Sequence, residues 1–181
     1  GGVDRRRDRL LEADGAGDRV AQGLGPGGER LDARLAAALM SIQSVKGVEI
    51  GDGFAQAALL GSAAHDEIVR GEDGHLTRTS NHAGGIEGGT SNGAPIIARA
   101  AFKPISTVPH ALRSVDMATG EEAVGLHQRS DTCQVVPGAV IAEAEVALVL
   151  ADALSDHAGG RSVGEMRRNL EAYLAVVGER A

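Results

Sequence analysis

The sequence contains very few sulfur-bearing and aromatic side chains. Among its 181 residues are one cysteine, Cys133, one tyrosine and two phenylalanines, and there is no tryptophan. A single cysteine excludes an intrachain disulfide and is too little for a cysteine-based metal site, which makes the cytoplasm the expected compartment. With so few aromatic rings, the core must be filled by aliphatic side chains.

Long apolar runs and an excess of positive charge are also absent. No stretch is long enough to cross a bilayer and the first residues do not resemble a signal peptide, so we expect neither a membrane partner nor export. The net charge is −7 and the isoelectric point is near 5.3. Because there is no basic stripe with aromatic stacking platforms, nucleic acid is not an expected partner. A hydrophobic content of 43% predicts one globular domain.

The first 29 residues differ from the rest of the chain. They combine an arginine-rich charge run with many glycines and few large apolar residues. We interpret residues 1–29 as a divergent, disordered segment and residues 30–181 as the folded domain. Because the sequence begins Gly-Gly-Val rather than with Met, we also expect it to be a piece of a longer protein.

Hydrophobic periodicity predicts an α+β layout, with helices at both ends and strands between them. In chain order the expected elements are a helix over 30–45, a short strand or loop over 48–54, a polar, mobile excursion over 61–80, strands over 95–103 and 122–127, a helix over 139–157 and a last helix from Ser162. A turn-forming run, Asp116 to Gly120, predicts that the two strands are antiparallel neighbours.

The two C-terminal helices each carry an apolar stripe that we expect to be buried. Ser162 and Glu165 have the spacing of a capping box at the start of the last helix, and Gly159 and Gly160 are expected to end the one before it. The expected buried stripes are Val140, Ala144, Ala147, Leu148, Ala151 and Leu154 in the first helix, and Met166, Leu170, Tyr173, Leu174 and Val177 in the second.

A dense glycine cluster lies in the middle of the chain, just before the strand predicted at 95–103. Because glycine loses much backbone entropy on folding, such a cluster indicates either backbone held at positive φ or close approach to a ligand. Its glycines are therefore the first site candidates, as part of a glycine-lined anion site: Gly84, Gly85, Gly88, Gly89 and Gly93.

Two other polar groups could bind an anion. Lys103, followed by Pro104, Ser106 and Thr107, offers a cation and two hydroxyls on a fixed turn, which suits a phosphate, although a surface lysine before an ordinary proline turn is the simpler interpretation. In the run Arg129-Ser130-Asp131 the arginine could clamp an anion and the aspartate could act as a base, and a solvated turn with a local ion pair is the alternative.

Several common chemistries are disfavoured by spacing. The six histidines show no short pairing typical of a zinc or iron site, so no metal is expected, and Cys133 has no Cys-His nucleophile context. The glycine cluster is neither a Walker loop nor a dinucleotide fingerprint opening a helix. From the residues alone, the reaction remains open.

Four stretches together resemble the motifs of chorismate synthase. They are Met40 to Phe54, the glycine-rich run Asn81 to Pro95, Lys103-Pro104-Ile105-Ser106-Thr107, and Arg129-Ser130-Asp131-Thr132-Cys133. Their order and spacing agree with the family from about Leu31 into the last helix. The residues within the motifs most resemble those of actinobacterial members. The resemblance implies part of a β-α-β sandwich, the C-terminal portion only.

The resemblance also implies an activity and a set of site residues. The family eliminates phosphate and a ring hydrogen from 5-enolpyruvylshikimate 3-phosphate to give chorismate, using reduced FMN, in the shikimate pathway of aromatic amino acid biosynthesis. By motif, the flavin contacts would be Gln43, Ser44, Gly88, Lys103, Pro104, Ile105, Ser106, Thr107 and Arg129. Asp131 would be the carboxylate that handles a proton near the flavin, and NADPH is a candidate reductant.

The chain lacks the family's N-terminal histidines, its flavin and substrate motif and its substrate-binding arginines, so we expect the chain alone to be inactive and poorly soluble. The family assembles as a homotetramer. One alternative is a non-catalytic oligomerisation or regulatory module that retains the scaffold, and another is an unrelated glycine-rich phosphate-binding domain.

Overall fold

The computed structural model describes residues 11–12, 30–72, 74–106, 109–126 and 133–178. In this part of the chain the helices are α1 (Leu31–Ser41), α2 (Gly53–Ala57), α3 (Gly61–Ala64), α4 (Val135–Ala158) and α5 (Val163–Gly178). The strands are β1 (Leu11–Glu12), β2 (Val45–Ile50), β3 (Ile68–Arg70), β4 (Leu76–Arg78), β5 (Ile86–Glu87), β6 (Thr90–Ser91), β7 (Ile97–Phe102), β8 (Arg113–Val115) and β9 (Glu122–Val124).

The largest sheet has three antiparallel strands in the order β1-β7-β2. Alternate residues of β2 and β7 point to one face, where Val48, Ala98, Ala100 and Phe102 pack against buried residues of α1 and α4. The core is aliphatic, as the composition predicts, and Leu31, Leu35 and Leu39 of α1 are its most deeply buried side chains. The architecture is therefore helices layered on an antiparallel sheet, which confirms the α+β prediction.

The predicted pairing of the two central strands is wrong. The strand expected at 95–103 forms as β7, but its partners are β2 and β1. The strand expected at 122–127 forms as β9 and pairs with β8 across the Asp116 to Gly120 turn. The turn was identified correctly, but it joins a local hairpin, because β8 is too short and polar to be recognised from periodicity.

The predicted buried stripe of α4 is also wrong, apart from Leu154, which is partly buried and packs against the core. Val140 and Leu148 are 64% and 66% exposed, and the buried residues are Gly138, Ala142, Ala153 and Ala158 on another face. The helix is apolar on both faces, so its sequence pattern does not indicate which one meets α1 and the sheet. Its C-terminal end at Gly159, with φ 60°, agrees with the prediction.

The last helix is less buried than its stripe predicts. Met166, Leu170, Leu174 and Val177 are half-buried, and Tyr173 is exposed with its ring edge-on to His157 at 4.8 Å. At its start, the Glu165 N–H donates to Ser162 Oγ at 3.3 Å as a capping box requires. The Glu165 carboxylate, however, accepts from the Arg161 N–H at 2.6 Å rather than from Ser162.

The excursion over 61–80 contains α3 and the β3–β4 hairpin, whose strands pair in register from Ile68↔Arg78 to Arg70↔Leu76. Among the described residues, no helix is both long and apolar enough to cross a bilayer.

Candidate functional site

Two predicted site stretches meet where β7 ends. The helix α1 stops at Ser41, and Gln43 and Ser44 turn the chain into β2. The Lys103 N–H donates to the Ser44 carbonyl at 2.8 Å, which joins this turn to the residues after β7. Ser44 has φ 72°, and no other described residue apart from glycine has a positive φ. Such a backbone is uncommon for serine and indicates a turn held by its surroundings.

The side chains of Gln43, Ser44, Lys103 and Ser106 are polar. Gln43, Lys103 and Ser106 are exposed, and neither their side chains nor the Ser44 hydroxyl bond to any other residue that the structure describes. Pro104 restricts the turn that follows Lys103. An amide, two hydroxyls and an ammonium are suitable partners for an anionic or carbonyl-rich ligand. We call Gln43, Ser44 and Lys103 to Ser106 the open end of β7.

The first turn of α4 lies beside the open end. A side chain at Gly138 would come within 2.5 Å of the Phe102 ring, so the helix start and the last residue of β7 are in close contact. Helix N-termini carry partial positive charge, which adds to that of Lys103. Cys133, exposed, begins the described chain before α4. Three predicted site residues, Thr107, Arg129 and Asp131, lie outside the described residues.

The glycine cluster is used mainly for backbone packing. All five candidate glycines have positive φ, between 60° and 89°, which confirms one of the two interpretations of the cluster. A Cβ on Gly84 would lie 2.3 Å from the Gly51 nitrogen, and one on Gly85 would lie 2.5 Å from the Pro95 carbonyl oxygen. These positions exclude any side chain because the protein's own backbone fills the space.

Gly88 differs from the other glycines of the cluster. It lies in the two-residue turn between β5 and β6 and is exposed, and no atom of the described residues stands within 4 Å of where its Cβ would be. The next residue, Gly89, accepts the Leu31 N–H at 2.8 Å, so this turn meets the N-terminal end of α1. Gln43 and Ser44 follow the other end of that 11-residue helix, about 16 Å away. The structure therefore separates Gly88 from the open end.

Sequence reasoning missed a polar network at the opposite end of β7. Arg99 pairs with Glu49 at 3.1 Å and with Asp52 at 3.7 Å, and it also donates to the Gly51 carbonyl. Asp52 contacts His82 Nδ1 at 2.7 Å. We call Glu49 to Asp52, Asn81 to Gly85, and Ile97 to Arg99 the closed end of β7. The sequence signal that could have revealed this network was the opposite charges of Glu49 and Arg99 in two apolar strands.

Asp66 extends this network toward the β3–β4 hairpin. Asp66 is 7% exposed, and its carboxylate accepts from the Ser80 hydroxyl at 2.6 Å, the His82 N–H at 2.8 Å and the Ala83 N–H at 2.9 Å. Burial raises the pKa of Asp66, but these hydrogen bonds and the nearby His82 together lower it below its usual value. Within the described residues, no three His, Cys, Asp or Glu side chains are grouped as a metal would require.

Comparison with known proteins identifies the fold. A family model described as chorismate synthase matches residues 15–155, beginning before the Leu31 helix. Chorismate synthase of Beutenbergia cavernae is 57% identical over 167 residues, covering 88% of this chain and 42% of the relative. That of Mycobacterium avium is 60% identical over 154 residues, covering 85% and 38%.

A solved structure agrees with these relatives. A crystal structure of chorismate synthase superimposes with a TM-score of 0.69 and 40% identity, covering 88% of this chain and 41% of that one. The mixed helix-and-sheet fold thus matches part of the longer chain in that structure. The chain belongs to the chorismate synthase family, and the matched relatives are actinobacterial, as the motifs indicated. It spans about two fifths of their length.

Proposed function

We propose that this chain forms the flavin-binding part of a chorismate synthase. The observation that supports it is the meeting of Gln43 and Ser44 with Lys103 to Ser106, joined by the 2.8 Å bond from the Lys103 N–H to the Ser44 carbonyl. Two motifs far apart in sequence supply one set of exposed donors that the described fold leaves unpaired. This donor set fits FMN, because it offers a cation and hydroxyls to an anionic group and an amide to ring heteroatoms.

In the whole enzyme, the reaction is the 1,4-anti elimination of phosphate from 5-enolpyruvylshikimate 3-phosphate to give chorismate, in aromatic amino acid biosynthesis. Reduced FMN would supply electron density that favours loss of the phosphate. Lys103 and Ser106 would hold an anionic group, and Gln43 and Ser44 would orient the ligand against the start of α4. By the family resemblance, Arg129 would add a second cation and Asp131 would hold the proton that must move.

Gly88 extends the proposed site along α1. Gly88 is exposed, and no described atom lies within 4 Å of where its Cβ would stand, so a ligand can approach this side of the turn. A ligand that touches both Gly88 and Ser44 must span about the length of α1, roughly 16 Å. This geometry favours an elongated molecule with different groups at its two ends, as FMN is.

The chain carries this part and not the whole site. It spans about two fifths of its relatives, and the histidines expected to take part in catalysis belong to the region it lacks. We therefore propose that the 181 residues alone have no turnover. The complete enzyme would be a cytoplasmic homotetramer, with NADPH a candidate reductant of its flavin.

A second candidate function is a non-catalytic association module. The observation that favours it is the apolar face of α4, where Val136, Val140, Ile141 and Leu148 are exposed. A helix that is apolar on all sides is normally covered on all sides. Association would explain this face but not the unpaired polar groups at the open end, so the flavin-binding function explains more of the structure.

The test is FMN binding to the purified chain, followed by flavin fluorescence, with and without 5-enolpyruvylshikimate 3-phosphate. Lys103→Ala and Arg129→Ala should each weaken binding about tenfold, as expected for loss of one charge-assisted contact. Arg167→Ala, which removes the same charge from an exposed position on α5, is the matched control and should bind normally. A folded chain without any flavin affinity would leave association as the better account.

A further inference from the structure

The β3–β4 hairpin makes two polar connections to the glycine loop, residues 81–93. The first is at the loop entrance, where the buried carboxylate of Asp66 accepts from Ser80, His82 and Ala83. Two of these three donors are successive backbone N–H groups, so the carboxylate fixes the direction in which the chain enters the loop.

The second connection is at the loop tip. Arg78, the last residue of β4, donates to the Asp66 carbonyl at 3.0 Å and pairs with Glu87 Oε2 at 2.5 Å. Glu87 also accepts from Asn92 Nδ2 at 2.8 Å, across the β5–β6 turn. Because Glu87 immediately precedes Gly88, the guanidinium of Arg78 holds the turn that exposes Gly88.

The hairpin itself adds little to the core. Ile68, Val69 and Leu76 are exposed, and none of the described residues of β3 or β4 is fully buried. In the described part of the chain, Asp66 and Arg78 bond through their side chains to the glycine loop and to Ser80 just before it. Because this hairpin buries little apolar area, its main contribution is to hold the glycine loop in place.

We propose that Asp66 and Arg78 are positioning residues that set the path of the glycine loop and the presentation of Gly88. The effect on flavin binding rests on the function proposed above, whereas the effect on the loop does not. Neither residue contacts the ligand. Arg78 acts through Glu87, and Asp66 acts through the backbone of His82 and Ala83.

The experiment compares Asp66→Asn, Arg78→Met and the control Arg70→Met in the full 181-residue chain. Arg70 lies on the neighbouring strand and donates to Gly74 at 2.5 Å within the hairpin, so its removal should leave the loop unchanged. The first readout is amide hydrogen exchange, resolved by residue. We expect exchange at Gly85 to Asn92 to be about tenfold faster in the first two variants, with the Leu31–Ser41 helix unchanged.

The second readout is FMN affinity, which should fall about fivefold to tenfold in the same two variants, the equivalent of one lost charged hydrogen bond. Arg78→Lys keeps the charge without the forked geometry and should restore part of both effects. It also tests the proposal should Arg78→Met fail to fold.

Unchanged loop exchange in both Asp66→Asn and Arg78→Met would overturn the proposal, and so would faster exchange with unaltered flavin affinity. If the wild-type chain binds no FMN, the function proposed above fails, and the exchange readout still decides whether these two residues hold the loop.

Discussion

The two ends of strand β7 use similar polar residues in different ways. At the closed end, Arg99 bonds to Glu49, Asp52 and the Gly51 carbonyl. At the open end lies Lys103, four residues after Arg99 in the chain. Its side chain makes no bond with any described residue. The first cation is thus paired within the described fold, whereas the second has no side-chain partner among the described residues.

The backbone shows the same contrast. At the closed end, Gly51 and Gly84 approach so closely that neither can carry a side chain. At the open end, Ser44 adopts a left-handed conformation although it has a side chain, and its hydroxyl has no described partner. Local strain combined with unused hydrogen-bonding groups is a property of binding sites, whereas strain taken up by glycine with satisfied neighbours is a property of packing.

The largest expected effect breaks the closed end. Gly84→Ala would place a Cβ 2.3 Å from the Gly51 nitrogen at φ 60°, and we expect it to lower the free energy of unfolding by more than about 3 kcal/mol. The matched control is Gly88→Ala, which has φ 61° but open space, and should cost only about 1 kcal/mol for its backbone conformation. Urea unfolding measures both, and equal losses would refute the packing role.

The second-largest expected effect comes from a substitution at the contact between α4 and the last residue of β7. Gly138→Ala would bring a methyl group within 2.5 Å of the Phe102 ring, and overpacking of this kind costs about 1 to 3 kcal/mol. Because Phe102 precedes Lys103, the substitution should also weaken flavin binding. Gly164→Ala in α5, where the nearest described neighbour is the end of the Arg168 side chain at 3.7 Å, serves as control in thermal unfolding and FMN titration. Normal flavin affinity in Gly138→Ala would argue against contact between α4 and the site.

A smaller effect compares the two cations directly. Arg99→Ala should lower the free energy of unfolding by about 1 to 2 kcal/mol, since it removes charged hydrogen bonds that are partly exposed to solvent. Lys103→Ala should change it by less than about 0.5 kcal/mol, but should weaken flavin binding. Denaturant unfolding and FMN titration of both proteins give the comparison. The contrast between the two cations would be refuted if Lys103→Ala proved more destabilising than Arg99→Ala.

The smallest effect is a pH dependence at the closed end. The folded pKa of Asp66 lies below its unfolded value, so its stabilising contribution is present above the unfolded pKa, near 4, and is lost as the pH falls toward the folded value. The stability difference between wild type and Asp66→Asn should therefore narrow between neutral pH and pH 3. Asp116→Asn, at an exposed turn where asparagine can make the same bonds, provides the reference series. A difference independent of pH would contradict this role of the charge.

Much of the fold could be predicted from the sequence, and the exceptions have physical causes. The C-terminal end of α4 at Gly159 and the turn from Asp116 to Gly120 both depend on local chemistry, and both were predicted correctly. The pairing of β9 depends on β8, which is only three residues long. The buried face of α4 could not be chosen because both of its faces are apolar, and the relevant information lies in the elements that pack against it.

The site was predictable in parts. The motifs named Gln43, Ser44 and Lys103, and the structure brings them together, but spacing alone could not show that Gly88 lies a helix length away. The network of Glu49, Asp52, His82 and Arg99 was missed because its members are far apart in sequence. The antiparallel register of β2 and β7 places Glu49 opposite Arg99, and the glycine loop brings His82 to Asp52.

The central claim is that a flavin binds at the open end of β7 and not at the closed end. The most direct measurement is a residue-resolved NMR titration of the chain with FMN. We predict that amide signals of Gln43, Ser44, Gly88, Lys103, Ile105 and Ser106 shift with one common affinity, while those of Asp52, Gly84 and Arg99 stay in place. Shifts confined to the closed end, or a folded chain whose open-end signals do not move, would contradict the account.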